Sequence, residues 1–143
     1  MKTIHEKALS DWVTNTIGQP YEVGASGPHA FDCWGLVVSF YKEIYDLDLP
    51  TFSGFNIHSL NNVSHLMHNE SHSGRWLEID KPENGCVVMM SKSKVFHHVG
   101  VFVNFAGLES VIHAFDQMHV ISHSLQNLRR NGFTKIKYFR WQE

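Results

Sequence analysis

Three residues of this sequence, Cys33, His98 and His113, are of the types that together activate a thiol. A thiol is a weak nucleophile until it loses its proton. An imidazole that is itself held by a further polar group is the arrangement that removes it, and the chemistry that follows is acyl transfer. Cys33 comes just after a loop rich in Gly and Pro, Tyr21 to Ala30, and opens the most regular apolar stripe in the chain. Cys33, Leu36, Val37, Phe40, Tyr41 and Ile44 share one helical face. Asp32 is the expected N-cap. The sulfur then sits in the first turn, where free N–H groups and the helix dipole lower a thiol's pKa. Position alone also fits a small buried hydrophobe, which is what most free cysteines are. The histidines decide between the two.

Alternation along His98 to Val103 places His98, Gly100 and Phe102 on one face of a strand and Val99, Val101 and Val103 on the other. In the next strand, Val111, His113 and Phe115 share a face. With Asn104 to Gly107 as a four-residue hairpin loop, Val103 pairs with Leu108 and His98 stands directly opposite His113. Their Cβ atoms would be about 5 Å apart, close enough for a hydrogen bond between the rings. A loop of three or five residues would break the match. If the Cys33 helix packs on the histidine face, His98 is the base and His113 its orienter.

Other candidates have plainer explanations. The chain has eleven histidines, so no single one carries weight without its position. His97 points away from His98, and His119 and His123 receive no role. His65, His68 and His72 share a helical face but lack a matching Cys or carboxylate, so they read as a solvated surface and no metal or cofactor is expected. Cys86 opens an apolar strand and reads as core. Trp34 and Trp76 either wall a cleft or pack. Gly35, in the first turn of the nucleophile helix, costs about 1 kcal/mol relative to alanine. It makes sense where a substrate or another backbone comes close.

The elements that must position these residues follow in order. A helix is expected from about Thr3 to Ile17, ended by Gly18-Gln19-Pro20, and a second from Cys33 to before Leu49-Pro50. A polar segment, Thr51 to Gly74, holds a short helix around His58 to His68. Strands are expected at Cys86 to Met90, His98 to Val103, Ser110 to Phe115 and Lys135 to Trp141. Helices first and strands later, without alternation, give an α+β fold with an antiparallel sheet. The 143 residues, 43% hydrophobic, suit one domain spanning 1–143 that needs no disulfide. Two dissimilar cysteines fit a reducing compartment. A net charge of −2 without a basic run excludes a nucleic-acid groove or an anionic-membrane surface. Met1 to Val13 carries His5, Glu6, Lys7 and Asp11, so no signal peptide is expected, and no apolar run spans a membrane.

The run Phe31-Asp32-Cys33-Trp34-Gly35-Leu36-Val37 resembles the nucleophile motif of NlpC-type cell-wall cysteine peptidases. Ile17 to Tyr21 is similar to the segment preceding it, His98 to Val103 to the histidine strand, and Val111 to Ala114 to the strand of the third catalytic residue. The resemblance runs from about residue 4 to residue 141 and implies a papain-like fold. It implies hydrolysis of a peptidoglycan stem peptide, commonly between D-glutamate and diaminopimelate. It also implies that Tyr21, twelve residues before Cys33, brings its hydroxyl near the oxyanion, and that Asp32, Trp34 and Gly35 line the substrate. Trp34 and the Tyr138 to Trp141 ending look most like the branch found with phage and prophage tails. Two features depart from the pattern. Gly85-Cys86 stands where Gly-Asp is usual, and the His98 to His113 spacing is long, which places extra residues in the Asn104 to Glu109 turn. A wall hydrolase without an export signal implies a vehicle: a phage tail, or a secretion system delivering an antibacterial toxin, with an immunity protein as a further partner. The competing expectations are an acyltransferase or amidase on a cytoplasmic substrate, and a silent tail structural protein.

Overall fold

The computed structural model describes residues 3–51, 67–93, 96–114 and 118–142. His65, Phe115 and all but the end of the short helix expected near 58–68 lie outside them, while residues 67–71 are helical. The elements are α1 (Glu6–Thr16), α2 (Cys33–Tyr45), β1 (Trp76–Ile79), β2 (Val87–Ser91), β3 (His98–Phe105), β4 (Leu108–Ala114), β5 (Val120–His123), α3 (Leu125–Arg130) and β6 (Lys135–Trp141). The strands form one six-stranded sheet in the order β1-β6-β2-β3-β4-β5, and each neighbouring pair is antiparallel. The fold is α+β, as the order of helices and strands predicts, and papain-like, as the resemblance implies. No helix among the described residues is long and apolar enough to cross a membrane.

The sheet is buried on both faces. One face meets α1 and α2: Leu9, Leu36, Val37 and Phe40 pack with Val99, Val101 and Val103 of β3. Each of these large side chains contributes roughly 1.5–3 kcal/mol by leaving water. The other face carries a smaller core in which Val88, Met90, Phe102 and Val111 pack with Leu128 and Phe133, the latter just beyond α3. Cys86 is buried there, so the reading of it as core holds.

This arrangement corrects one expectation. The Cys33 helix lies on the valine face of β3, whereas His98, which pairs with Met90, belongs to the opposite face and stacks on Phe133. Both faces of β3 are apolar, so alternation alone does not say which one the helix covers. His98 is nevertheless buried.

Candidate active site

The loop before α2 is latched to the start of the helix. Buried Asp32 accepts hydrogen bonds from Gly35 N (2.6 Å) and Gly24 N (2.8 Å), so it caps the helix and ties it to the glycine-rich loop at once. In return its own N–H donates to Ala25 O at 2.9 Å. Burial raises the Asp32 pKa, while the amides of Gly35, Gly24 and Trp34 pull it down. A Cβ on Gly35 would lie 1.9 Å from Ala25 O, so the close approach that this glycine permits is that of another backbone. Trp34 donates its Nε1–H to Pro50 O (2.7 Å), pinning the chain that follows the helix. Tyr21 is half-buried in the same loop, bridged to Phe31 and bonded through its N–H to Met118 O at 3.4 Å.

Cys33 is buried, and its sulfur accepts from the Val99 N–H. That contact sets the sulfur against the first peptide of β3, next in sequence to His98. The sulfur meets the start of this strand while Cys33 itself belongs to the core on its valine face. Burial pushes the Cys33 thiol up to about 12, helped by the Asp32 carboxylate. The N–H groups of Val99, Trp34 and Cys33 itself pull the other way. The helix-start effect expected from the sequence is thus present, but desolvation outweighs it. The resting sulfur is a thiol.

The two sequence-predicted histidines do meet. His98 Nε2 and His113 Nδ1 are 2.9 Å apart, with the rings inclined at 77°. His113 Nε2 is in turn 2.9 Å from Nδ1 of His123, the residue to which the sequence reading gave no role. Phe133 stacks on the His98 ring (5.5 Å, 20°) and presents itself edge-on to His113.

The route to this contact differs from the expected one. Phe105 pairs with Leu108 across a two-residue turn, Ala106-Gly107, instead of a four-residue loop. The register is therefore displaced by two, and His98 lies diagonally from His113. Gly100 takes the near position, where a Cβ would come within 2.9 Å of His113 Cβ. A displacement by an even number leaves side chains on their original face. The shared face survives the shorter turn.

Burial, with the neighbouring His113 charge adding to it, holds the His98 pKa well below its ordinary value. Burial and then His123 bring His113 from 6.5 down to about 3. Between those values the unfolded chain takes up protons that the folded chain refuses, so stability is full above about pH 6.5 and falls as pH drops toward 3. The slope is about 1.4 kcal/mol per pH unit for each such histidine. The melting temperature should therefore be lower at pH 5 than at pH 7, and His113→Gln should flatten that dependence. Equal melting temperatures at the two pH values would refute this account.

The remaining histidine candidates stay apart from this set. His97 accepts from Lys92 N, and His68 and His72 stack one turn apart with ring centroids at 4.2 Å. No group of His, Cys, Asp and Glu among the described residues is arranged to hold a metal.

The family model of NlpC/P60 proteins matches residues 18–139, which include the Asp32 latch, Cys33 and all three linked histidines. The chain belongs to the NlpC/P60 family. Among solved structures, the NlpC/P60 domain of the peptidoglycan hydrolase SagA is similar at a TM-score of 0.60 and 18% identity, over 94% of this chain and 97% of that one. An NLP/P60-family protein described as similar to lipoprotein, from Staphylococcus aureus, has a TM-score of 0.56 and 18% identity, over 92% of this chain but 40% of that one. An N-acetylmuramoyl-L-alanine amidase from Bacteroides uniformis shares the fold at a TM-score of 0.54 and 12% identity, over 97% and 100% of the two chains. No curated protein matches the chain. At these identities the structures speak for the NlpC/P60 fold, and the chemistry rests on the residues themselves.

Proposed function

We propose that this NlpC/P60 protein is a cysteine peptidase that hydrolyses an amide of the peptidoglycan stem peptide, with Cys33 as nucleophile, His98 as base and His113 as its orienter. The observation that carries the reading is the 2.9 Å His98 Nε2–His113 Nδ1 contact at the strand start whose Val99 N–H holds the Cys33 sulfur. With Nε2 committed to His113, His98 Nδ1 takes the thiol proton as the sulfur attacks the substrate carbonyl. The tetrahedral oxyanion collapses, the C–N bond breaks, and His98 returns the proton to the departing amine. Water then attacks the thioester, giving its proton to His98, and the leaving sulfur recovers a proton from that ring. A neutral thiol and a neutral imidazole at rest suit this sequence, because charge appears in the buried site only as the substrate reacts.

The finer assignments belong to the same proposal. The bond is that between D-glutamate and diaminopimelate, and Tyr21 lies on the oxyanion side. Asp32 and Gly35 shape the substrate wall through the latch, and Trp34 contributes to that wall. Delivery is by a phage tail or a secretion system, with an immunity protein as a partner in the second case. Digestion of purified peptidoglycan, with mass analysis of the products, tests the reading. Release of fragments ending at D-glutamate supports it. Cleavage next to the muramic-acid lactyl group would make the protein an amidase, and no release at any bond would remove the wall as its substrate.

The orienter gives a graded expectation. His113→Ala should lower kcat on the order of 10²-fold or more, because the base loses the acceptor that fixes its tautomer. His113→Gln and His113→Asn should retain part of that activity, since an amide oxygen still accepts the His98 Nε2–H. Turnover of a stem-peptide substrate at matched folded concentrations is the measurement. An alanine variant as active as wild type would place the orienter elsewhere.

A further inference from the structure

β5 aligns a third ring behind the pair. His123 stands opposite Val111, and therefore diagonal to His113, as His98 is from the other side. The result is a chain of three imidazoles, His98 Nε2 to His113 Nδ1 and His113 Nε2 to His123 Nδ1, with 2.9 Å at each junction. His113 lies fully buried in the middle and His123 is half-exposed at the outer end.

We propose that His123 is a positioning residue which sets the tautomer of His113 and, through it, keeps Nδ1 of His98 bare for the Cys33 proton. This rests on His98 being the base. Each N···N junction holds one proton, and each neutral ring carries one. If His98 donates from Nε2, His113 must be bare at Nδ1 and protonated at Nε2, so His123 must accept at Nδ1. In the opposite polarity His123 donates, His113 donates from Nδ1, and the His98 proton sits on Nδ1. There it blocks transfer from the thiol. No mixed arrangement of neutral rings fills both junctions, so the group at position 123 decides between a competent and an incompetent base without touching substrate.

The test uses the full chain. Nitrogen-15 NMR of the ring nitrogens reads the tautomer, and kcat and KM are measured separately in wild type, His123→Leu, His123→Asn and His123→Lys. In wild type, His113 should be protonated at Nε2 and bare at Nδ1. His123→Lys, which can only donate, should reverse that pattern and lower kcat about tenfold or more with KM little changed. His123→Asn, able to present an acceptor oxygen, should recover most of what His123→Leu loses. Should the lysine variant fail to fold, the wild-type spectrum and the leucine–asparagine pair still decide. A wild-type His113 protonated at Nδ1, or equal kcat in the leucine and asparagine variants, overturns the proposal. The NMR arm needs no turnover, so it stands or falls separately from the choice of peptidoglycan as substrate.

Discussion

Cys33→Ala and His98→Ala should each lower kcat/KM on the order of 10⁴-fold or more, because nucleophile and base act as one unit and neither has a substitute in place. The second cysteine cannot stand in: Cys86 is buried in the core on the other face of the sheet, its thiol also pushed up to about 12. His97 and His123 cannot replace the base, since one accepts from Lys92 N and the other is bonded to His113. Both variants should fold. Losing one sulfur leaves a small cavity, a cost of about 1 kcal/mol. Losing the His98 ring uncovers one face of Phe133 and leaves His113 Nδ1 without this partner, a cost of roughly 1–3 kcal/mol. The check is single-turnover and steady-state hydrolysis of a stem peptide, with circular dichroism and thermal melts to match folded protein. A Cys33→Ala protein that cleaves within tenfold of wild type would end the cysteine-peptidase reading.

The second large effect is expected at Gly35. By helix propensity alone, Gly35→Ala should stabilise α2 by about 1 kcal/mol. The geometry reverses the sign. The added carbon would sit 1.9 Å from Ala25 O, 2.8 Å from Ala25 C and 2.9 Å from Asp32 Oδ1, so a backbone segment must move. The segment that moves is the one bonded to Asp32, and the Asp32 latch sets the first turn and hence the sulfur. A loss of roughly 2–4 kcal/mol follows from overpacking of this kind, together with a fall in kcat that exceeds any rise in KM. Thermal melting and steady-state kinetics test it. A higher melting temperature in Gly35→Ala would show that the loop yields freely and that the latch does not position Cys33.

Much of this was legible in the residues. The apolar stripe of α2 and its Asp32 cap are local signals, and the structure reproduces both. β6 begins at Lys135 and ends at Trp141, as its alternation predicts. The β3–β4 turn is shorter than the expected four-residue loop because Ala106 adopts φ 53°, next to Gly107 at 81°. Two-residue hairpin turns with both central residues at positive φ are signalled by Asn-Gly or Asp-Gly, and alanine gives no such cue. β1 and β5 give no alternation signal because each has four residues and only one that is buried, Trp76 and Val120 respectively. Without β5 there was no means of placing His123 beside His113. α3 was missed because it has six residues; its cue, Ser124 accepting from Asn127 N, is a single capping bond. The choice of face for α2 depended on a tertiary fact, that α3 and Phe133 cover the histidine side and leave the valines for the helix.

The strand order has a consequence for how the molecule is assembled. β6, last in the chain among the described strands, is inserted between β1 and β2, and it is the sole partner of β1 among those strands. During synthesis the sheet therefore stays in two pieces until Lys135 to Trp141 is available, with β2 presenting an open backbone edge in the meantime. Such an edge, flanked by Val87, Val88 and Met89, is a template for pairing with other chains. A product truncated before β6 is predicted to aggregate, not merely to lose stability.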